Sequence, residues 1–137
     1  MESLSGDGFV GLVIVSHSAA IASGLAELVA QVAGPDVPIV TAGGGPGGTL
    51  GTDGGRVLEA LLTVDGAGAV VVADLGSSLL SVKAALAELG PAQAERIVLA
   101  DAPLVEGAIA AGVTASTGAS LAEVAVAAEE ARSVAKL

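Results

Sequence analysis

Two hydrophobic periods alternate along this chain. Val10-Gly-Leu-Val-Ile-Val-Ser16 is an unbroken apolar run with no position left to face water, so it predicts a strand buried on both faces. Ile21, Leu25, Leu28, Val29 and Val32 then recur at helical spacing, until Gly34-Pro35 stops the helix. Pro38 to Ala42 reads as a short second strand. Thr52 or Asp53 can cap a second helix with Val57, Leu58, Leu61 and Leu62 inward. Ala67 to Ala73 is a third strand, continuous in its apolarity and therefore central. Asp74-Leu-Gly-Ser77 turns into a helix carrying Leu79, Val82, Leu86 and Leu89, closed by Gly90-Pro91. Arg96 to Ala100 makes a fourth strand, followed by helical segments over Leu104 to Ala111 and Leu121 to Arg132. Ser120 with Glu123 has the spacing of a capping box for the last of them.

Strands separated by helices require parallel crossovers, which are right-handed almost without exception. The expected fold is a single doubly wound α/β domain, with a central, mainly parallel four-stranded sheet and helices on both faces. Residues 9–137 form this domain, after a flexible stretch at 1–8. In such sheets reactive groups collect beyond the carboxyl ends of the strands, where loops and helix starts converge. Four loops should open there: Ser16-His17-Ser18, Gly43 to Thr52, Asp74 to Ser78, and Asp101 to Pro103. Strands 1 and 3 are neighbours in the common doubly wound orders, which brings Asp74 within reach of His17.

Composition narrows the chemistry. His17 is the only histidine, and Cys, Trp and Tyr are absent. Thiolate catalysis, disulfides and cysteine metal sites are thereby excluded, and no metal site is expected. A carboxylate bonded to one ring nitrogen fixes the tautomer and raises the basicity of the other, making His17 a candidate nucleophile. The plainer alternatives are a histidine that only hydrogen-bonds its surroundings and an aspartate that only caps a helix. Apolar residues make up 53% of the chain, yet no run reaches the ~18 residues that a spanning helix needs. The N-terminus lacks the features of a signal peptide, so a soluble, cytoplasmic protein is expected, with no membrane attachment. Five basic residues stand against fifteen acidic ones, a net charge of −10. That balance argues against nucleic-acid binding, which needs clustered Lys and Arg; it reads first as a solvated surface and, in a sharper alternative, as selection of partners with a basic patch.

The loop Gly43-Gly-Gly-Pro-Gly-Gly-Thr-Leu-Gly51 fits neither a dinucleotide fingerprint nor a P-loop. It is either a flexible connection or part of an anion-binding rim around His17. Ser16, Ser18, Gly51, Thr52, Gly76, Ser77 and Ser78 are the candidates for that rim, as contacts to a phosphoryl group or a partner. Leu50, Leu75 and Leu79 could supply a shallow apolar contact beside it.

Three segments carry a resemblance. Leu12-Val-Ile-Val-Ser-His-Ser18, Gly48-Thr-Leu-Gly-Thr-Asp53 and Val70-Val-Val-Ala-Asp-Leu-Gly-Ser-Ser78 are similar to the mannose-type IIA domains of the phosphoenolpyruvate phosphotransferase system. Asp74-Leu-Gly-Ser77 and Ala102-Pro-Leu-Val-Glu-Gly107 favour the branch of phosphotransferase subunits of dihydroxyacetone kinases, the DhaM proteins. The resemblance runs from about Phe9 to Arg132. It implies phosphorylation of His17 at Nε2, with Asp74 orienting the imidazole. It also implies the phosphocarrier HPr as donor and, as acceptor, ADP on the nucleotide-binding kinase subunit. With its dihydroxyacetone-binding partner, that subunit then makes dihydroxyacetone phosphate. No cofactor is implied on this chain, ADP or ATP and magnesium belonging to the kinase subunit, and a homodimer is implied. The glycine loop departs from the acidic, serine-bearing versions of some relatives. The other readings are a mannose-class sugar-transport IIA component and a non-catalytic doubly wound regulatory module. The acidic cluster and lysine of an aspartate-phosphorylated receiver are not evident.

Overall fold

The computed structural model describes residues 8–137, so the expected flexible stretch lies, but for Gly8, outside the described residues. The elements are β1 (Gly11–Ser16), α1 (Ala19–Ala33), β2 (Ile39–Gly43), α2 (Gly54–Leu62), β3 (Ala69–Ala73), α3 (Gly76–Glu88), α4 (Pro91–Ala94), β4 (Ile97–Leu99), α5 (Leu104–Ala115) and α6 (Leu121–Glu130). The sheet is parallel throughout, in the order β2-β1-β3-β4. Successive side chains of a strand point to opposite faces, and β1 is apolar at every step, so it feeds two cores. Leu12 and Ile14 join Val70 and Val72 beneath α1, α5 and α6. Val13 and Val15 join Val71 and Ala73 beneath α2 and α3. No helix among the described residues is long and apolar enough to cross a membrane.

The buried face of α1 differs from the expected one. Ala22, Leu25, Val29 and Ala33 are buried, whereas Ile21, Leu28 and Val32 are about half exposed. Close approach at two glycines decides this. A Cβ on Gly43 would lie 2.8 Å from Ala19 Cα and 2.8 Å from Ala22 Cβ, and one on Gly112 would lie 2.6 Å from Val29 Cγ1. Ala22 therefore fits beside Gly43, and Val29 fills the space that Gly112 leaves. Since Gly43 presses on backbone atoms, Gly43→Ala is expected to destabilise the fold by about 1–3 kcal/mol through overpacking. Denaturant unfolding measures this, and an unchanged midpoint would contradict it.

Leu62, expected inside, is exposed, and Asp53 rather than Thr52 caps α2, accepting from the amides of Gly55 (3.0 Å) and Arg56 (3.3 Å). The short helix α4 is an element that the pattern did not predict. Pro91 opens it, and Gln93 Nε2 donates to the carbonyls of Leu61 (2.9 Å) and Val64 (2.8 Å), closing the end of α2. The capping box of α6 is present as expected, with Ser120 and Glu123 each bonding the other's amide.

Candidate active site

Register brings the reactive residues together. Val15 pairs with Ala73 across β1 and β3, and the Asp74 amide donates to the Val15 carbonyl at 3.2 Å. The next residue of β1 is Ser16 and the one after it His17, so Asp74 stands beside both. The backbone of His17 is fixed at each end: its N–H donates to Asp74 Oδ2 (3.0 Å) and its carbonyl accepts from Gly51 N–H (2.9 Å).

The two ring nitrogens of the imidazole are held unequally. Nδ1 lies 2.9 Å from Asp74 Oδ1 and 3.0 Å from Ser78 Oγ. Nε2 meets the hydroxyl of Ser77 at the solvent side, and the side chain is 24% exposed. With a carboxylate on Nδ1, the proton belongs there and Nε2 keeps its lone pair, the tautomer that a nucleophile at Nε2 requires. Asp74 is well suited to this. Burial pushes its carboxyl up, but donors from His17, Ser16 and Ser78 outweigh burial and hold it far below the usual carboxylate range.

α3 begins at the same place. Side chains of Ser18, Asp53 and Ser120 cap α1, α2 and α6, whereas no side chain caps α3. Its leading amides, around Gly76 and Ser77, remain available to an anion seated near Nε2. The glycine loop contributes differently from an open rim. Amides of Gly44, Gly45, Gly48, Thr49 and Gly51 are all spent within the fold, and those of Gly44 and Gly51 hold the carbonyls of Ser16 and His17. Both of these glycines have positive φ, 84° and 132°, which a side chain would strain. The loop thus shapes the base of the site.

The serines divide into two groups. Ser77 and Gly76 are exposed at the rim, whereas Ser16 and Ser78 are 1% and 0% exposed and lie beneath the ring, where no partner reaches them. Ser18 is committed to the cap of α1 through the Ile21 amide (3.2 Å). Among the described residues, Thr52 takes no part in the hydrogen bonds to the ring. Leu50 and Leu75 are exposed as expected, at 81% and 62%. Leu79 instead packs into the core under α3, and Leu80, one step round the helix, is the exposed residue. The fourth loop is tied to α6 and the turn that follows it, with the Asp101 amide on Glu129 (3.0 Å) and its carboxylate on Arg132 (2.6 Å). The role that the sequence did not reveal is the support of Asp74 by buried serines. The spacing of Ser78, four residues after Asp74 at a helix start, was its only trace.

With this geometry in place, the likeness to known proteins takes on meaning. Residues 11–125 match the family described as PTS system fructose IIA component, EIIA-man. This chain belongs to the EIIA-man family. Within it, the chain is 44% identical over 119 residues to the phosphoryl donor subunit DhaM of the PEP-dependent dihydroxyacetone kinase of Providencia stuartii, covering 84% of this chain and 25% of that protein. The DhaM subunit of Escherichia coli is 41% identical over 116 residues, covering 82% and 25%. The DhaM subunit of dihydroxyacetone kinase 2 from Listeria innocua is 36% identical over 105 residues, covering 76% and 84%. The chain thus spans about a quarter of the length of the first two relatives and most of the third. A solved crystal structure of a protein of unknown function, EF1359, matches with a TM-score of 0.79 and 32% identity, over 88% of this chain and 93% of that one. The doubly wound fold is thus shared with a solved structure.

Proposed function

We propose that this EIIA-man chain is a phosphohistidine carrier, the phosphoryl donor of a PEP-dependent dihydroxyacetone kinase. In this reading His17 accepts a phosphoryl group from HPr and passes it to ADP on the nucleotide-binding kinase subunit. That subunit, with its dihydroxyacetone-binding partner, forms dihydroxyacetone phosphate. The observation that carries the proposal is the unequal anchoring of the ring. Asp74 and the buried Ser78 hold Nδ1, whereas Nε2 meets only the exposed Ser77 hydroxyl, at an uncapped helix start.

The chemistry follows from this arrangement. The Nε2 lone pair forms a bond to phosphorus as the donor's phosphorus–nitrogen bond breaks, its electron pair returning to the donor nitrogen. Nδ1 keeps its proton, so the ring becomes cationic beside the Asp74 carboxylate. Its charge is offset there without being removed, and the new bond remains labile enough for onward transfer. Amides at the start of α3 and the Ser77 hydroxyl stand where phosphoryl oxygens would lie. Nucleotide and magnesium are then needed only on the kinase subunit. The relay operates in the cytoplasm, and a homodimer forms through surfaces away from His17.

Incubation with phosphoenolpyruvate, enzyme I and HPr should yield a stoichiometric, acid-labile phosphoprotein. Adding the two kinase subunits, ADP and dihydroxyacetone should discharge it into dihydroxyacetone phosphate. A phosphoprotein stable in mild acid but split by hydroxylamine, as a phosphoaspartate is, would overturn the reading.

Partner encounter provides a second check. A chain of net charge −10 with exposed leucines at its site should use charge for steering and a small apolar contact for recognition. Its association rate with HPr is expected to fall as ionic strength rises, because screening shortens the reach of the field. Free ADP should give no appreciable heat in calorimetry with this chain alone, and tight ADP binding would contradict the division of labour.

A further inference from the structure

We propose that Ser16 and Ser78 are positioning residues that confine the phosphoryl bond of His17 to Nε2, by holding the Asp74 carboxylate as an acceptor only. The inference rests on His17 being the phosphorylated residue. Both serines are wholly buried, so neither contacts a partner directly. Each serves one oxygen of the same carboxylate: Ser16 Oγ donates to Oδ2 at 2.8 Å and Ser78 Oγ donates to Oδ1 at 2.8 Å. The amides of His17 and Leu75 donate to Oδ2 (3.0 Å) and Oδ1 (2.7 Å).

Four donors therefore converge on Asp74 before the ring is counted. Each oxygen already accepts from a hydroxyl and an amide, so a proton placed on either would face a donor. Asp74 stays ionised, in keeping with its lowered pKa. It can only accept from whatever faces it, and what faces it is Nδ1. Ser78 reinforces the same choice. Its single proton is committed to Oδ1, so towards Nδ1, 3.0 Å away, its oxygen can only accept. Two acceptors facing one ring nitrogen require an N–H there. Nδ1 is thereby closed to phosphorylation, and the nucleophilic lone pair is left on Nε2.

Removing the hydroxyls loosens this logic without removing the carboxylate. In Ser16→Ala, Oδ2 loses a donor and the carboxylate is freer to rotate about its own bond. In Ser78→Ala, Nδ1 loses its second acceptor and Oδ1 a donor. The double variant should show both ring tautomers by nitrogen-15 NMR of the unphosphorylated protein, where the native chain shows Nδ1–H alone. Its maximal rate of phosphoryl uptake from phospho-HPr should fall about ten-fold, the worth of one charge-assisted hydrogen bond, with KM for phospho-HPr unchanged. Phosphorus–nitrogen coupling should place the native phosphate on Nε2 and reveal a fraction on Nδ1 in the variant. Ser16→Thr, which keeps a hydroxyl on a strand residue, should retain the native tautomer and rate. A double variant that folds, keeps a pure Nδ1–H ring and transfers at the native rate would overturn the clamp. If the native chain took up no phosphoryl group at all, the carrier reading would fall instead, and the tautomer measurement would still decide whether the serines govern the ring.

Discussion

His17→Ala and His17→Gln are expected to abolish phosphoryl uptake while leaving a folded protein. No second histidine or cysteine exists to take over, and a serine hydroxyl is a poor substitute for an imidazole nitrogen near neutral pH. The loss should reach the detection limit of a labelling assay with phosphoenolpyruvate, enzyme I and HPr. The fold should tolerate the change because the ring stands at the edge of the sheet rather than in either core. Asp74 loses one donor of five, and Ser16, Ser78 and the amides of His17 and Leu75 remain. A shift in stability within about 1 kcal/mol is expected, of the size usual outside a core. Circular dichroism and denaturant unfolding check the fold, and acid-labile phosphate checks the chemistry. A stoichiometric acid-labile phosphoprotein from either variant would remove His17 from the centre of the mechanism.

Asp74→Asn is expected to slow transfer by roughly 10–100-fold, which corresponds to the ~1.5–3 kcal/mol of a hydrogen bond to a charged partner. Two physical effects act together. The negative charge that offsets the cationic phospho-ring is gone, and an amide can present its NH2 to Nδ1, favouring the tautomer with the proton on Nε2 and the lone pair on the wrong nitrogen. The variant should therefore lose maximal rate more than donor affinity. Normal transfer kinetics would show that the carboxylate is only structural. The same residue carries a pH signature. Its folded pKa lies below the ordinary value of 3.8, so its contribution to stability is fully present above that value and is lost as pH falls beneath it. The stability gap between the native chain and Asp74→Asn should thus be constant near neutral pH and narrow in acid below about 4. A gap that widened there would reverse the sign.

Several features were legible because they are local. The unbroken apolarity of β1 and β3 specified central strands, and the Ser120–Glu123 spacing specified the start of α6, since capping involves residues within a single turn. The alternation of periods led to the doubly wound order, and that order put strands 1 and 3 side by side. The pairing of His17 with Asp74 is therefore legible in the sequence. α4 was missed because Gly90-Pro91 punctuates a helix end and a helix start alike, and Pro91 here serves the latter. Leu79 was placed on the rim although its spacing with Val82 and Leu86 puts it on the inner face.

The amino-acid sequence by itself determined the strand and helix order, the parallel topology and the place of the one histidine at the end of β1. These follow from hydrophobic period and turn chemistry, which act over a few residues, and from composition. Tertiary structure alone decided which face of α1 is buried, because that depends on how near Gly43 lies to the start of α1 and Gly112 to the Val29 side chain. It also decided that Ser16 and Ser78 lie under the ring while Ser77 stands over it. A serine is equally at home in water or beneath a carboxylate, and only the register of β1 against β3, 58 residues apart for Ser16 and Asp74, supplies the acceptor that makes its burial favourable.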